Sequence, residues 1–192
     1  MFNVGDRIVY PMHGAGKVES IDEKNILGEK QLYYTISMPG EVKVMVPASK
    51  ADQLGVRNVI DKSQADKVFA VFEENETEMA ANWNKRYRDN MDKMKSGDIF
   101  EVADVVRNLA FKQKEKGLST GEKKMLNNAK QILVSELVLA EHASKDEVEN
   151  LIENKIEMSF EEYKVAPENN VNIGSNIVNK FIPYEGNNVD SL

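Results

Sequence analysis

Trp83 is the only tryptophan of the chain, and it opens the run Trp83-Asn84-Lys85-Arg86-Tyr87-Arg88, in which three cations follow the indole. An aromatic ring among cations suits a nucleic acid. The ring stacks on a base or wedges beside one, while Lys85, Arg86 and Arg88 neutralise the flanking phosphates. The same residues admit a plainer use, because Trp83, Tyr87, Met91 and Met94 recur at i, i+4, i+8 and i+11. That spacing marks a helical core stripe with the cations on its wet flank, and spacing alone favours it. A second basic pair, Lys123 and Lys124, falls in the first turn after the capping-box sequence Ser119-x-x-Glu122. Cations at that end oppose the helix dipole, which points mildly to phosphate contact, although a surface lysine pair costs so little that a solvated face explains it equally well.

Other chemistries are poorly served. The chain has no cysteine, which excludes a thiolate nucleophile, a disulfide framework and a cysteine zinc site, and His13 and His142 are too few for an all-imidazole metal site. No acid–base pair or nucleophile–base set stands out, so the expectation is a non-enzyme with no cofactor and no metal. Gly14-Ala15-Gly16-Lys17 lacks the GxxxxGK[ST] spacing, and Lys17 runs on into an alternating segment rather than a helix. It reads as a tight turn, with His13 a turn or packing residue.

Charge is distributed unevenly along the 192 residues, whose formal net charge is −7. Residues 84–130 hold 12 basic against 7 acidic side chains, whereas 1–83 hold 9 against 13 and 131–192 hold 4 against 12. A basic middle between acidic flanks suits a protein that touches a polyanion with one face, although solvated helices also alternate charge. Asp6 and Arg7 interrupt the first apolar residues, and no apolar run approaches the ~20 residues that span a bilayer. A soluble, cytoplasmic protein is expected.

These side chains need elements to position them. The first ~55 residues alternate with period two, in Arg7-Ile8-Val9-Tyr10, Gly16 to Ile21, Gln31 to Ile36 and Val42 to Val46, with Gly and Pro at the turns. They predict four or five short strands in a strongly bent, SH3-like sheet, a module that acts by offering a strand or shallow patch to a partner. From about Ser63 the period becomes 3.6. Val68 to Phe72 mark a first helix and Trp83 to Met94 a second. Asp98, with Glu101 three residues on, resembles a capping box for a third helix ended by Gly117, and Ser119 with Glu122 caps a long fourth one. A short fifth helix is expected around Asp146 to Glu157, and from Met158 on the asparagine-rich tail is expected to add nothing to the core.

Taken together, Phe2-x-Val4-Gly5-Asp6-x-x-Val9-Tyr10-Pro11-x-His13-Gly14, Met45-Val46-Pro47, the tryptophan segment and Gly117-Leu118-Ser119-x-Gly121-Glu122-Lys123-Lys124-Met125-Leu126 resemble the CarD/CdnL family of bacterial RNA-polymerase-binding transcription regulators, in order from residue 2 to about 155. The N-terminal module also resembles the polymerase-binding domain of the transcription-repair coupling factor, but this chain has neither the length nor a Walker motif for that factor's motor. The resemblance implies an α+β protein, with a Tudor-like polymerase-interacting barrel at 1–58, a helical DNA-contacting domain at 63–158 and a poorly structured tail at 159–192. It implies that Lys24, Met45 and Pro47 meet the polymerase β subunit, where some relatives carry Arg at the position of Met45. Trp83 would wedge into the minor groove at the upstream edge of the melted promoter, with Lys85, Arg86, Arg88, Lys123 and Lys124 as the basic surface. A monomer bound to polymerase in the bacterial cytoplasm, associated with the nucleoid through it, then stabilises the open complex without reading sequence. The alternative is a protein-interaction adaptor that never touches DNA.

Overall fold

The structure is a computed structural model and describes residues 1–26 and 28–165. Five antiparallel strands come first: β1 (Arg7–Tyr10), β2 (Gly14–Ile26), β3 (Glu29–Ser37), β4 (Lys43–Pro47) and β5 (Arg57–Asn58). Five helices follow: α1 (Lys62–Val71), α2 (Trp83–Lys95), α3 (Ile99–Glu115), α4 (Thr120–Glu141) and α5 (Lys145–Val165). The expected fold class, a small sheet followed by a set of helices, is therefore what the chain adopts.

The sheet order β4-β3-β2-β1-β5 brings the last strand back beside the first and leaves β4 and β5 at the edges. Alternation sorts its two faces. Ile8, Val18, Tyr34, Ile36 and Val46 point inward to one apolar core. Tyr33, Thr35, Met45 and Pro47 point to the other side. β2 and β3 pair from Lys17 to Ile26, well past the end of β4, so their hairpin projects beyond the sheet.

The helical domain has its own core, built on Val105, Val106 and Leu109 of α3, Leu133 and Leu137 of α4 and Ile152 of α5. Its helices begin where local chemistry satisfies free backbone N–H groups. Asn82 caps α2, and Asp98 caps α3 through the Phe100 amide, while Glu101 turns away to Lys93, so only half of the expected box forms there. Ser119 and Glu122 make the full reciprocal box. Ser144 and Glu147 make a second one at the head of α5, which the sequence pattern alone did not suggest.

α5 also departs from expectation by running seven residues beyond 158. Phe160 is buried against Phe111, contrary to the expectation that nothing after Met158 joins the core. The rest of the expected tail, 166–192, lies outside the described residues.

Candidate nucleic-acid interface

α2 and α4 run in the same direction, with their N-termini side by side at the end of the domain remote from the sheet. Trp83 is the first residue of α2, and Ser119 is the N-cap of α4. The indole Nε1–H donates to Ser119 Oγ at 3.1 Å, and the ring stacks on Tyr87 at a centroid distance of 5.3 Å. A Cβ on Gly121 would stand 3.4 Å from Trp83 Cζ2 and 3.8 Å from Tyr87, in ordinary van der Waals contact, so both rings lie close against the first turn of α4. Trp83 nevertheless keeps 43% of its surface exposed. The helical stripe is real but graded: Met94 is buried, Tyr87 and Met91 are half-buried, and Trp83 stands at the open end.

Below the tryptophan lies an ionic clasp. Glu122 is buried, and its Oε1 accepts from Arg86 Nε at 2.8 Å. Its Oε2 accepts from the Ser119 amide at 3.0 Å, the Ser119 hydroxyl at 2.9 Å and Lys112 Nζ at 3.3 Å. Burial pushes the Glu122 carboxyl up, but the Ser119 amide, Arg86, the Ser119 hydroxyl and Lys112 together outweigh it and hold the group at about 2. Glu122 is thus ionised at neutral pH, and the Ser119 hydroxyl, spent on Glu122 and the indole, fixes the ring plane.

The cations divide into two kinds. Arg86 is turned inward, with Nη1 donating to the carbonyls of Ala80 and Ala81 and Nε to Glu122, and its side chain is only 11% exposed. It belongs to the clasp, where Nε and Nη1 are engaged, so it stands apart from the exposed cations of the expected basic surface as the ion-pair partner of Glu122. Lys85, Arg88, Lys123 and Lys124 are exposed. Lys85 makes a solvent-exposed pair with Asp89, whereas Arg88, Lys123 and Lys124 form no ion pair among the described residues. These four and the indole crown the paired N-termini of α2 and α4, which already carry partial positive charge.

The other predicted residues lie on the sheet. In register, Lys24 stands opposite Gln31, Asp22 opposite Tyr33 and Ser20 opposite Thr35, while Tyr33 and Thr35 in turn stand opposite Pro47 and Met45. Residues directly opposite share a face, so Lys24, Met45 and Pro47 belong to one outer surface, beside the unpaired edge of β4. Met45 is half exposed there.

Two family models match the chain: a CarD-like/TRCF RID domain over residues 2–60 and the CarD C-terminal domain over 67–153. The putative transcription factor YdeB of Bacillus subtilis is 43% identical over 151 residues, spanning 78% of this chain and 99% of that protein. The chain belongs to the CarD family. A further CarD relative is the N-terminal domain of Myxococcus xanthus CarD, whose solution structure is 39% identical over 30% of this chain and 79% of its own, with a TM-score of 0.28. The CarD C-terminal match embraces both halves of the clasp, the tryptophan segment and the Gly117-to-Lys124 segment. Sequence pattern marks each half separately but does not show that they meet. The available signal was the Ser119 box itself, whose glutamate needed a buried partner.

Proposed function

We propose that this CarD-family protein binds the β subunit of RNA polymerase through the outer sheet surface around Lys24, Met45 and Pro47. It sets Trp83 against promoter DNA at the upstream edge of the bubble and so stabilises the open complex. The carrying observation is the clasp, in which two segments 36 residues apart use a capping box and a buried ion pair to hold one exposed indole. A ring that served only the core would be covered. The match to an RNA-polymerase-interacting domain and the name of the Bacillus relative support the polymerase half of the reading.

The chemistry needs no bond making. Lys85, Arg88, Lys123 and Lys124 contact phosphates without regard to sequence, and Trp83 fills a distorted minor groove or props an unstacked step, offsetting part of an unstacking cost of a few kcal/mol. A preference for melted over closed DNA of ~1.4 kcal/mol shifts their ratio about tenfold. The test is binding of the full chain to polymerase with and without a pre-melted promoter fork, together with the lifetime of the open complex. Equal affinity for both forms and an unchanged lifetime would leave the adaptor reading in its place.

A further inference from the structure

Between the sheet domain and the helices lies a partly buried set of polar contacts that neither candidate surface uses. Arg57 of β5 donates to both oxygens of Glu136 on α4, at 2.6 and 2.9 Å, and also to the carbonyl of Gly97 in the α2–α3 turn, at 3.0 Å from Nε and 2.7 Å from Nη2. Glu136 is buried and also accepts from the Ile60 amide at 3.1 Å. One guanidinium therefore ties the end of the sheet to the two helices whose far ends hold Trp83.

The β1–β2 turn adds a second fastening. The Ala15 amide donates to Ser135 Oγ at 2.8 Å, and a Cβ on Gly14 would stand 2.5 Å from the same oxygen, so only glycine lets the turn approach α4 this closely. Pro11 lies against Gly97, where an added Cβ would be 3.0 Å from its ring. Met12 sits in the left-handed region at φ 68 and packs its side chain on the helical core. A non-glycine residue held there stores strain that the surrounding contacts must impose. The Tyr10-Pro11-x-His13-Gly14 segment thus packs the β1–β2 turn as a plug between the sheet and the helices.

From these contacts we infer that Arg57 and Glu136 are positioning residues. They make the two domains a rigid ruler, so that docking the sheet on polymerase fixes where Trp83 stands, rather than tethering the helical domain loosely nearby. The inference rests on the function proposed above. An ion pair with one buried partner and one partly exposed contributes little net stability over an apolar pair of similar volume, and its directional bonds are better suited to setting an angle. Leverage makes that angle matter. From the clamp at Gly97 to Trp83, α2 spans about 20 Å at its ordinary rise per residue, so a tilt of about 10° at the clamp moves the indole by about 3.5 Å, a full base-stacking distance. A wedge displaced that far misses its step.

The experiment uses the full chain with Arg57→Met and Glu136→Met together, which removes the bonds without leaving an unpaired buried charge. Because the sequence lacks cysteine, residues introduced at exposed Asp52 and Gln113 can carry spin labels that report the distance between the domains. The expected result is a broadened distance distribution, binding to the polymerase β subunit and to forked DNA each within about twofold of the parent, and an open-complex lifetime shortened about tenfold. A merely structural role would weaken all three activities alongside melting temperature. A broadened distribution with an unchanged lifetime would overturn the ruler, and an unbroadened one would remove Arg57 and Glu136 as its fastening. If the parent chain itself neither binds polymerase nor prolongs the complex, it is the proposed function that fails, and the parent measurement shows this separately.

Discussion

At the scale of single residues, the environment of Trp83 separates its cost from its use. Its ring is partly exposed, with one stacked neighbour and one hydrogen bond. Trp83→Ala is therefore expected to cost about 1 kcal/mol or less of stability, against roughly 3–5 kcal/mol for truncating a buried large aromatic, while sharply shortening open-complex lifetime. Thermal unfolding beside open-complex decay checks both halves, and a large fall in melting temperature would return the residue to the core. Glu122 makes a different prediction. Its folded pKa of about 2 lies below the ordinary carboxylate value, so the stability it contributes is present above about pH 4.5 and is lost as pH falls toward 2. The Glu122→Gln variant should be less stable than the parent at pH 7 by about 3 kcal/mol. That gap should close by pH 2, where the parent carboxyl is increasingly neutral. Urea unfolding of both proteins across that range decides it, and a constant gap would mean that Glu122 acts through packing alone.

At the scale of elements, β4 is the informative strand. It is an edge, and Met45 projects from it into solvent on the face shared with Lys24 and Pro47. Met45→Glu is expected to abolish retention on the polymerase β subunit while circular dichroism matches the parent, since a carboxylate buried unpaired at an apolar contact costs several kcal/mol. Full retention would remove Met45 from the contact. Much of this element map was legible in the sequence, because period two and period 3.6 are backbone geometries that leave a mark on side-chain type. The Ser119 box declared itself for the same reason. What escaped was set by long-range contact. β5 has only two residues and exists because it pairs with β1. The last turns of α5 were hidden by the asparagine-rich character of the tail that follows, although Ile152, Ile156 and Phe160 continue one apolar stripe. Arg86 looked like its neighbours in a charged run, and only the burial of Glu122, 36 residues away, distinguishes it.

On the whole-molecule scale, the charge map becomes a prediction about salt. An acidic chain with four exposed cations around Trp83 should bind DNA weakly and without sequence preference, with affinity falling as salt rises. Replacing Lys85, Arg88, Lys123 and Lys124 should flatten that dependence, by nearly one unit of log–log slope for each phosphate that no longer meets a cation. Replacing Arg86 should instead lower stability, because it strips a buried carboxylate of a partner. Fluorescence polarisation over a salt series, with melting temperatures alongside, separates the two groups, and tight binding to one sequence at high salt would point to base readout instead.

The solitary indole has an optical consequence. With no second tryptophan in the sequence, the emission excited near the red edge of the ultraviolet band comes from the clasp alone, and it comes from a ring that is partly wet, stacked and hydrogen-bonded. Insertion beside a nucleobase would quench it, and release of its Ser119 bond would shift its colour. The molecule thus carries its own unlabelled reporter at the point where the proposed contact is made.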